Sequence, residues 1–395
     1  MKTNIGVFFG GRSTEHEISV ISANQAMHAI DSELYDITPV YITKDGQWYT
    51  GQALMDIKNY RDIPALLRQC TPVHMRAIYG DYNLYAERHG LLKSGVAPVA
   101  ALDVVIPVLH GSNGEDGTFQ GVLQSTGIPF AGCDVLSSAN GMDKITMKMI
   151  LAADGIPVVD YVWFTDKQWF SQRKELIERI ETRIGYPVIV KPANLGSSVG
   201  IARADDRETL IRKVEEAEKY STRIIVEHLV EELQEINCSV LGDCDEYRTS
   251  VLEEPIKSGE ILSYQDKYMG GTKGAKGMQA SQKRIPADLP DDVTKRIQFL
   301  AGETFRVLSC HGVSRVDMIV DRANGNIYVN EINTIPGSLS FYLWEATGLT
   351  FTQLMTELVQ LALKRKREQG MKTVSYDANI FAMGGGTKGT KGAKS

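Results

Sequence analysis

The sequence predicts an α/β domain at the N-terminus, followed by a region of mixed α+β structure. Three observations support this prediction. A short apolar run, Ile5 to Phe9, enters a glycine pair and then a helical pattern, as a buried parallel strand followed by a helix does. A second apolar run, Val104 to Leu109, ends in a glycine-rich loop. Further along, two β-rich runs, Val316 to Val320 and Ile327 to Ile332, flank a turn sequence and indicate a hairpin.

Composition limits the functions that the chain can have. Its 395 residues are enough for two or three domains, and 43% hydrophobic with 23% charged residues is an ordinary globular composition. The net charge of −6 gives no basic footprint, so we expect no nucleic-acid partner. Five cysteines without metal-type spacing fit reduced thiols in the cytoplasm. No signal peptide is recognisable and no apolar stretch approaches about 20 residues, so we expect no membrane span.

The N-terminal strand leads into a predicted helix. Thr14 and Glu17 have the spacing of a capping box, and apolar residues keep a helical pattern to Asp31. A strand, a glycine turn and a helix in this order point backbone N–H groups at whatever lies above the end of the strand. Glu15 lies in the first turn of the helix. Its carboxylate either favours the helix dipole or holds the ammonium group of a ligand.

A second candidate loop follows another strand. Tyr35 to Ile42 has a strand pattern, and the apolar run after residue 104 enters the loop His110 to Gly117. A surface loop has no need of both His110 and Glu115 beside glycines, so we interpret this loop as part of a ligand site. Residues 1–141 are therefore expected to form an α/β domain with a crevice at its strand ends.

A third loop has the composition of a phosphate-binding turn. The strand pattern Tyr186 to Lys191 enters Pro192 to Ile201, where Ser197 and Ser198 stand among small residues. Their N–H and hydroxyl donors can wrap phosphate oxygens, and Lys191 adds charge. This is not a Walker A loop, because the lysine precedes the glycines.

The next elements could serve a nucleotide. The segment Asp143 to Lys148 opens a helix, in which Lys144 by itself would be a solvated lysine. Ile224 to Val230 is a strand that runs into a connection, and Glu235 starts another strand. A backbone edge at such a hinge can pair with an adenine edge. Glu235 either accepts ribose hydroxyls or is a plain surface residue.

Three segments lie outside these strands. Residues 263–285 are rich in glycine and lysine and lack apolar periodicity, so we predict a mobile lid. Pro290 to Leu308 and Thr350 to Lys366 have amphipathic helical patterns. Residues 371–395 end in a repeat of the lid's composition, and we expect a flexible tail.

The predicted hairpin carries the densest group of polar side chains. Residues two apart on a strand share a face, so Arg315 lies beside Asp317, and Glu331 lies beside Asn333. We predict a three-residue loop, residues 323–325 with the glycine left-handed, which sets the two carboxylates opposite each other; a two-residue loop would shift this register by one. Such oxygen ligands suit Mg²⁺, and an edge hairpin with a solvated polar face is the alternative.

Seven motifs in one order resemble a known family. They are GGRSTEHEIS, LHGSNGEDGTFQG, GMDKITMK, VIVKPANLGSSVG, YQDKY, SRVDMIVD and VNEINTIPG. In them the chain is similar to the D-alanine–D-alanine ligases of the ATP-grasp superfamily, from Ile5 to about Gln369. The resemblance implies that the N-terminal domain is followed by a two-subdomain ATP-grasp module, with a small subdomain over 142–235 and a catalytic subdomain over 236–370.

The family couples ATP hydrolysis to peptide-bond formation, through an acyl phosphate on a first D-alanine. The resemblance implies that Glu15 binds the ammonium group of this substrate and that His110 and Glu115 orient it. The implied ATP contacts are Lys144, Lys191, Ser198, Glu227, Val230, Glu235 and Lys267, with the ribose on Glu235 at a hinge one residue longer than usual. The implied ligands of two Mg²⁺ ions, for which Mn²⁺ could substitute, are Asp317, Glu331 and Asn333.

The same resemblance implies the catalytic groups. Arg315 and the amide of Gly337 are the natural donors to the tetrahedral intermediate, and removing one such donor typically costs about 3 kcal/mol of barrier. Ser197 corresponds to the serine that helps to hold Tyr268 over the site. A closed lid would keep water from the acyl phosphate.

One turn departs from the family's pattern. After the last metal ligand the usual ligases read roughly PGMTSHSLVP, whereas this chain reads PGSLSFYLW. Tyr342 stands at the position of the serine that holds the carboxylate of the second substrate, and Ser340 and Leu343 are further candidate contacts. The second pocket must therefore be reshaped, and the acceptor could be D-alanine, D-serine, D-lactate or another small amine.

The leading hypothesis is a cytoplasmic, ATP-dependent D-alanine–D-alanine ligase of peptidoglycan precursor synthesis. A D-alanine–D-serine or other D-alanine–D-X ligase is the alternative within this class. A nucleotide-binding regulatory protein that has lost turnover is a different class, against which Glu15, Arg315 and the metal ligands argue, because a pure binder needs no oxyanion donor. Since the family is commonly dimeric, we expect a homodimer.

Overall fold

The described strands form three sheets in the computed structural model, which describes residues 2–89, 94–196, 200–256 and 283–375. Outside these ranges lie the predicted site residues Ser197, Ser198, Lys267 and Tyr268. The predicted lid lies outside them up to residue 282, and the predicted tail does so from residue 376.

The first sheet takes its strands from the N-terminal part of the chain. They are β1 Thr3–Gly10, β2 Tyr35–Ile42, β3 Trp48–Thr50, β4 Thr71–Met75, β5 Asn83–His89, β6 Ser94–Ala101 and β7 Val104–Val108. Their order is β6-β5-β4-β3-β2-β1-β7. As predicted for buried strands, β1 is parallel to β2 and β7, while β3 to β6 add antiparallel pairs. The segment between β2 and β7, for which no role was predicted, thus widens the sheet.

The helix after β1 begins later than the sequence pattern indicated. Helix α1 spans His16–Ala29, with Glu15 at its N-cap position. The capping box predicted from Thr14 and Glu17 is therefore wrong. Glu17 instead pairs with Lys44, in the turn between β2 and β3. The Glu17 side chain therefore forms an ion pair with a residue distant in sequence, instead of the hydrogen bond to the start of the helix that the local pattern predicted.

The other two sheets are antiparallel. The second contains β8 Tyr161–Thr165, β9 Val188–Pro192, β10 Ala202–Ala204 and β11 Arg223–His228, in the order β10-β9-β11-β8. The third contains β12 Leu233–Gly242, β13 Tyr247–Pro255, β14 Lys283–Arg284, β15 Gly312–Asp321 and β16 Ile327–Asn333, in the order β14-β13-β12-β15-β16. The last residues of the predicted lid thus include an edge strand, β14.

Strands β15 and β16 form the predicted hairpin. Asp317 lies opposite Glu331, and Arg315 lies opposite Asn333, in the predicted register. Because side chains alternate between the faces of a sheet, all four belong to one face.

The hairpin reaches this register by a different route. The amide of Asp321 donates to Asn326 O at 2.9 Å, so the loop has four residues, 322–325, and the predicted three-residue loop is wrong. A β-bulge at Asn330 then shifts the pairing by one residue and restores the expected register. Gly325 has the predicted left-handed backbone, with φ of 76°.

Helices cover the sheets, and the last described helix packs against the first strand. After α1 they are α2 Ile63–Leu67, α3 Thr118–Thr126, α4 Val135–Met142, α5 Lys144–Ala153, α6 Asp166–Arg183, α7 Arg207–Ala217, α8 Asp291–Val307, α9 Phe341–Thr347 and α10 Phe351–Gly370. The two predicted amphipathic helices are α8 and α10. Leu354 and Leu358 of α10 share a core with Val7 and Phe9 of β1. Within the described ranges, no helix has the length and apolar character needed to cross a membrane.

Candidate active site

A cavity of about 350 Å³ lies between the second and third sheets. The predicted site residues on its wall are Lys144, Lys191, Glu227, Val230, Glu235, Arg315, Asp317, Glu331 and Tyr342. A smaller cavity of about 40 Å³ shares Lys144 and Glu331 with it and adds Glu15, Glu115 and Asn333. Residues predicted from separate motifs therefore meet at one junction of the fold.

Glu227 is buried between two lysines. Its Oε2 accepts a hydrogen bond of 2.7 Å from Lys191 Nζ, and its Oε1 lies 3.2 Å from Lys148 Nζ. Burial raises the pKa of this carboxyl, but the two lysines outweigh burial and hold it at about 2. Glu227 therefore holds Lys191 in place. Lys148 was not predicted, although its spacing of four residues puts it on the same face of α5 as Lys144.

Lys144 is buried at the start of α5. Its Nζ donates to Leu195 O at 2.9 Å and lies 3.0 Å from Glu331 Oε2. Burial lowers the pKa of Lys144, but Glu331 outweighs burial, and the net shift is upward. Lys144 is thus a charged group between the third candidate loop and a predicted metal ligand, rather than a solvated lysine.

Arg315 and Asp317 form a bidentate ion pair. Arg315 Nε and Nη2 donate to the two carboxylate oxygens at 2.6 and 2.8 Å, and Asn333 Nδ2 donates to Asp317 Oδ2 at 3.1 Å. Burial raises the pKa of Asp317; Arg315 opposes this shift, while Glu331 and Glu235 add to it. The net shift of the Asp317 pKa is upward, with burial as its largest cause and the two neighbouring carboxylates as smaller ones.

This group of side chains fits a divalent cation. Asp317 and Glu331 face each other across the hairpin, with the amide of Asn333 beside them. Mg²⁺ binds through one or two carboxylates and completes its shell with water and phosphate oxygens, and such a cation would relieve the repulsion between the carboxylates. No cluster of three or more His, Cys, Asp or Glu that could hold a metal occurs in the described part of the chain. The fit therefore depends on two carboxylates and one amide oxygen.

Glu115 connects two loops. Its Oε2 accepts from the amide of Gly111 at 2.8 Å, and its Oε1 accepts from the amide of Ile335 at 3.0 Å. Burial, followed by the charge of Glu15, raises the pKa of Glu115 to about 8. Glu15 itself lies close to the backbone of two loops, because a Cβ added to Gly111 or Gly196 would lie 2.6 or 3.0 Å from Glu15 Oε2. Two carboxyl groups in this position suit an ammonium group.

His110 is a buried connector between α1 and the turn after β16. Its Nδ1 lies 2.8 Å from Ile335 O, and its Nε2 lies 2.9 Å from Ser22 Oγ, which also accepts from the amide of Ser338 at 2.9 Å. A carbonyl can only accept, so Nδ1 carries the proton and Ser22 donates to Nε2. Burial lowers the pKa of His110 to about 4, which agrees with a neutral ring. His110 lines neither of the two cavities, and Ser22 was not predicted.

The turn after β16 has an uncommon backbone. The three residues from Ser338 to Ser340 have φ of 51° to 52°, which costs non-glycine residues about 1–2 kcal/mol each. Gly337, the predicted oxyanion donor, comes directly before them. The side chains of Ser340 and Leu343, the further candidate contacts of the second substrate, are fully buried and line neither cavity. Tyr342 does reach the larger cavity.

Comparison with known proteins decides the family. The family model described as D-ala D-ala ligase N-terminus matches residues 4–133, and the one described as D-ala D-ala ligase C-terminus matches residues 150–360. The chain belongs to the D-alanine–D-alanine ligase family. The D-alanine–D-alanine ligase of Caldicellulosiruptor bescii is 40% identical over 381 residues, which cover 95% of this chain and 98% of that protein. The one of Thermosipho melanesiensis is 38% identical over 378 residues, covering 96% and 98%. The predicted enzyme class, an ATP-dependent D-amino acid ligase, is confirmed.

Solved structures share the fold of this ligase. The D-alanine–D-alanine ligase from Coxiella burnetii has a TM-score of 0.76 at 31% identity, covering 93% of this chain and 96% of its own. The VanG D-Ala:D-Ser ligase from Enterococcus faecalis has a TM-score of 0.77 at 32% identity, covering 92% and 100%. The predicted fold class is confirmed. Because the two names state different acceptors, overall similarity does not choose the acceptor of this ligase.

The ligase places Tyr342 among charged groups that were not predicted. Tyr342 OH donates to Glu253 Oε2 at 2.9 Å. Lys283 Nζ lies 2.9 Å from Glu253 Oε1 and 4.0 Å from the centre of the Tyr342 ring. Glu253 is on β13 and Lys283 is on β14, in parts of the chain that carry no recognised motif, so no sequence signal identified them.

Proposed function

We propose that this ligase joins two D-alanine molecules at the expense of one ATP, through a D-alanyl phosphate, to give the dipeptide of peptidoglycan precursors. The observation that carries the proposal is the junction of the two cavities. There, the acidic pair Glu15 and Glu115 lies next to Lys144 and to the face that holds Arg315. An ammonium site, cations for phosphate and a donor for an oxyanion thus meet around one point, as a carboxylate-activating ligase requires.

The first D-alanine binds with its ammonium group at Glu15 and Glu115. The charge of Glu15 contributes to the raised pKa of Glu115, so a bound cation relieves that repulsion and favours the ionised carboxylate. The substrate carboxylate then points towards Lys144, which both cavities share.

ATP binds in the larger cavity. Lys144 and Lys191 bind its phosphates, Glu235 accepts the ribose hydroxyls, and the backbone near Val230 pairs with adenine. Asp317, Glu331 and Asn333 are the residues that would hold Mg²⁺, which supplies positive charge to the transferring phosphoryl group.

The acceptor amine attacks the acyl phosphate, and phosphate leaves. Arg315 and the amide of Gly337 donate to the oxygen that becomes negative in the tetrahedral intermediate. The ion pair with Asp317 keeps the guanidinium oriented before the reaction, so little reorganisation is needed. Closure over the site by Tyr268 and Ser197, and phosphate contacts of Ser198 and Lys267, stay predictions.

A D-alanine–D-serine ligase is the second candidate. It is favoured by Tyr342, which stands where the family's usual sequence has the serine that holds the carboxylate of the second substrate. D-Lactate or another small acceptor belongs to the same alternative.

Product identification tests the proposal. The purified protein is given ATP, Mg²⁺ and a mixture of D-alanine, D-serine and D-lactate, and the products are identified by mass spectrometry while phosphate release is followed. We expect D-alanyl-D-alanine as the main product, no turnover with L-alanine, loss of turnover in EDTA, and recovery with Mg²⁺ or Mn²⁺. A protein that releases no phosphate with any D-amino acid would refute the proposal.

We also propose that the ligase is a cytoplasmic homodimer and that its domains divide at residues 141 and 235. These statements rest on the resemblance of the sequence to the family. Sedimentation velocity tests the oligomeric state, and limited proteolysis tests the domain boundaries.

A further inference from the structure

An ion pair on the wall of the larger cavity has no part in the mechanism above. Glu253 is almost completely buried, with 2% of its side chain exposed, whereas Lys283 has 40% of its side chain exposed. Both line the cavity beside Arg315 and Tyr342. A buried carboxylate and a half-exposed ammonium group therefore stand on the wall next to the reacting centre.

Glu253 is fixed in its charged form. Burial raises its pKa, but Lys283 and Arg315 outweigh burial, and the net shift is downward. As an ionised carboxylate it can only accept, so the hydroxyl proton of Tyr342 is committed to it. Asn237 Nδ2 donates to the same oxygen at 3.2 Å. Tyr342 consequently has no proton to offer the carboxylate of a second substrate.

The positively charged side chains on the cavity wall differ in their ion-pair partners and in their exposure. Among the described residues that line it, the fixed cations are Lys144, Lys191, Lys283 and Arg315. Lys144 and Lys191 are buried against Glu331 and Glu227. Arg315 donates through Nε and Nη2 to Asp317, and its other N–H donors are assigned to the oxyanion. Lys283 has three ammonium protons, contacts Glu253 through one oxygen, and has 40% of its side chain exposed.

We propose that Lys283 binds the carboxylate of the acceptor amino acid, with Glu253 and Tyr342 as positioning residues. This role rests on the proposed ligase function. Lys283 would take the place of the serine that holds the acceptor carboxylate in the usual ligases, a position that Tyr342 occupies here. Glu253 fixes the ammonium group from one side, and the Tyr342 ring supports it from another. The acceptor must then carry a carboxylate.

D-Alaninamide separates the acceptor step from the rest of the reaction. It has no carboxylate to phosphorylate, so it can act only as acceptor. When D-alanine and D-alaninamide compete, both products arise from the same D-alanyl phosphate. The two acceptors differ in the carboxylate and in the basicity of their amines, but the second difference is the same for every enzyme variant. A change in the ratio of dipeptide to dipeptide amide between variants, measured by mass spectrometry, therefore reports recognition of the acceptor carboxylate.

The decisive variant is Lys283→Met, which keeps the length of the side chain. We expect the wild type to favour D-alanine strongly, and the variant to lose roughly 10- to 100-fold of this preference, the value of one charge-assisted hydrogen bond. The KM for ATP should stay the same, and Lys283→Arg should restore much of the preference. Tyr342→Phe should shift the ratio in the same direction but less.

Arg284→Met is the matched control. Arg284 is the next residue on β14, pairs with Glu254 at 3.1 Å, and does not line the cavity, so its product ratio should equal that of the wild type. A wild-type ratio in Lys283→Met would overturn the role of Lys283 and leave the ligase assignment intact. A wild type that makes no D-alanyl-D-alanine would instead refute the proposed function. If Lys283→Met does not fold, Lys283→Gln is measured in the same way.

Discussion

Replacing Ser22 with alanine should weaken the turn that presents Gly337. The Ser22 hydroxyl accepts from the amide of Ser338, which is 316 residues further along the chain, and it donates to His110. Without this oxygen, the amide and the His110 Nε2 both lose their partner. The left-handed backbone that follows Gly337 then has one contact fewer to hold it.

The size of the effect follows from the burial of the two groups. An unsatisfied buried group costs about 1–3 kcal/mol, so two such groups together cost about 2–6 kcal/mol. His110 is buried, but Ser338 is half-buried and can reach water, so we expect the free energy of unfolding to fall by about 2–4 kcal/mol. A displacement of about 1 Å near the reacting atoms can cost about 100-fold in rate, so kcat should fall by roughly 10- to 100-fold while the KM for ATP stays the same.

Denaturant unfolding and steady-state phosphate release measure the two effects. Ser125→Ala is the control, because Ser125 is exposed and its hydroxyl bonds to Gly121 O in the same helix; its stability should change by less than about 0.5 kcal/mol. Wild-type stability in Ser22→Ala would refute the hydrogen-bond network. A stability loss with wild-type kcat would refute the connection between the turn and catalysis.

Two further predictions concern charged groups of the site. Arg315→Ala should lower kcat by about 100- to 1000-fold, because an oxyanion donor acts mainly in the transition state. The affinity for ATP, measured by calorimetric titration, should stay nearly the same. An equal loss of ATP affinity and kcat would show that the role of Arg315 is structural. Glu115 has its pKa raised from 4.5 to about 8, so the stability that it contributes as a protonated group is lost as the pH rises between these values. Glu115→Gln should therefore gain stability relative to the wild type from pH 5 to pH 8 in urea unfolding, and a constant difference would contradict this reasoning.

In the hairpin of β15 and β16, the sequence pattern predicted which side chains share a face but not the length of the loop. The face shared by Arg315, Asp317, Glu331 and Asn333 was predictable, because side chains alternate strictly along a strand and a buried face tolerates one register. The loop was not, since a four-residue turn and a bulge at Asn330 reach the same register as the shorter turn. The capping box at Glu17 was wrong for a related reason, because Lys44 competes for that side chain from a distant turn.

By itself, the sequence determined the strand-turn-helix at the N-terminus, the acidic and amide face of the hairpin, and the family to which the ligase belongs. Only the tertiary structure decided which charges neutralise one another: Lys148 with Glu227, Lys283 with Glu253, and the neutral His110 between Ser22 and the final turn. The physical reason is that these contacts join residues far apart in the chain. Their strength comes from burial, and burial exists once the three sheets have packed.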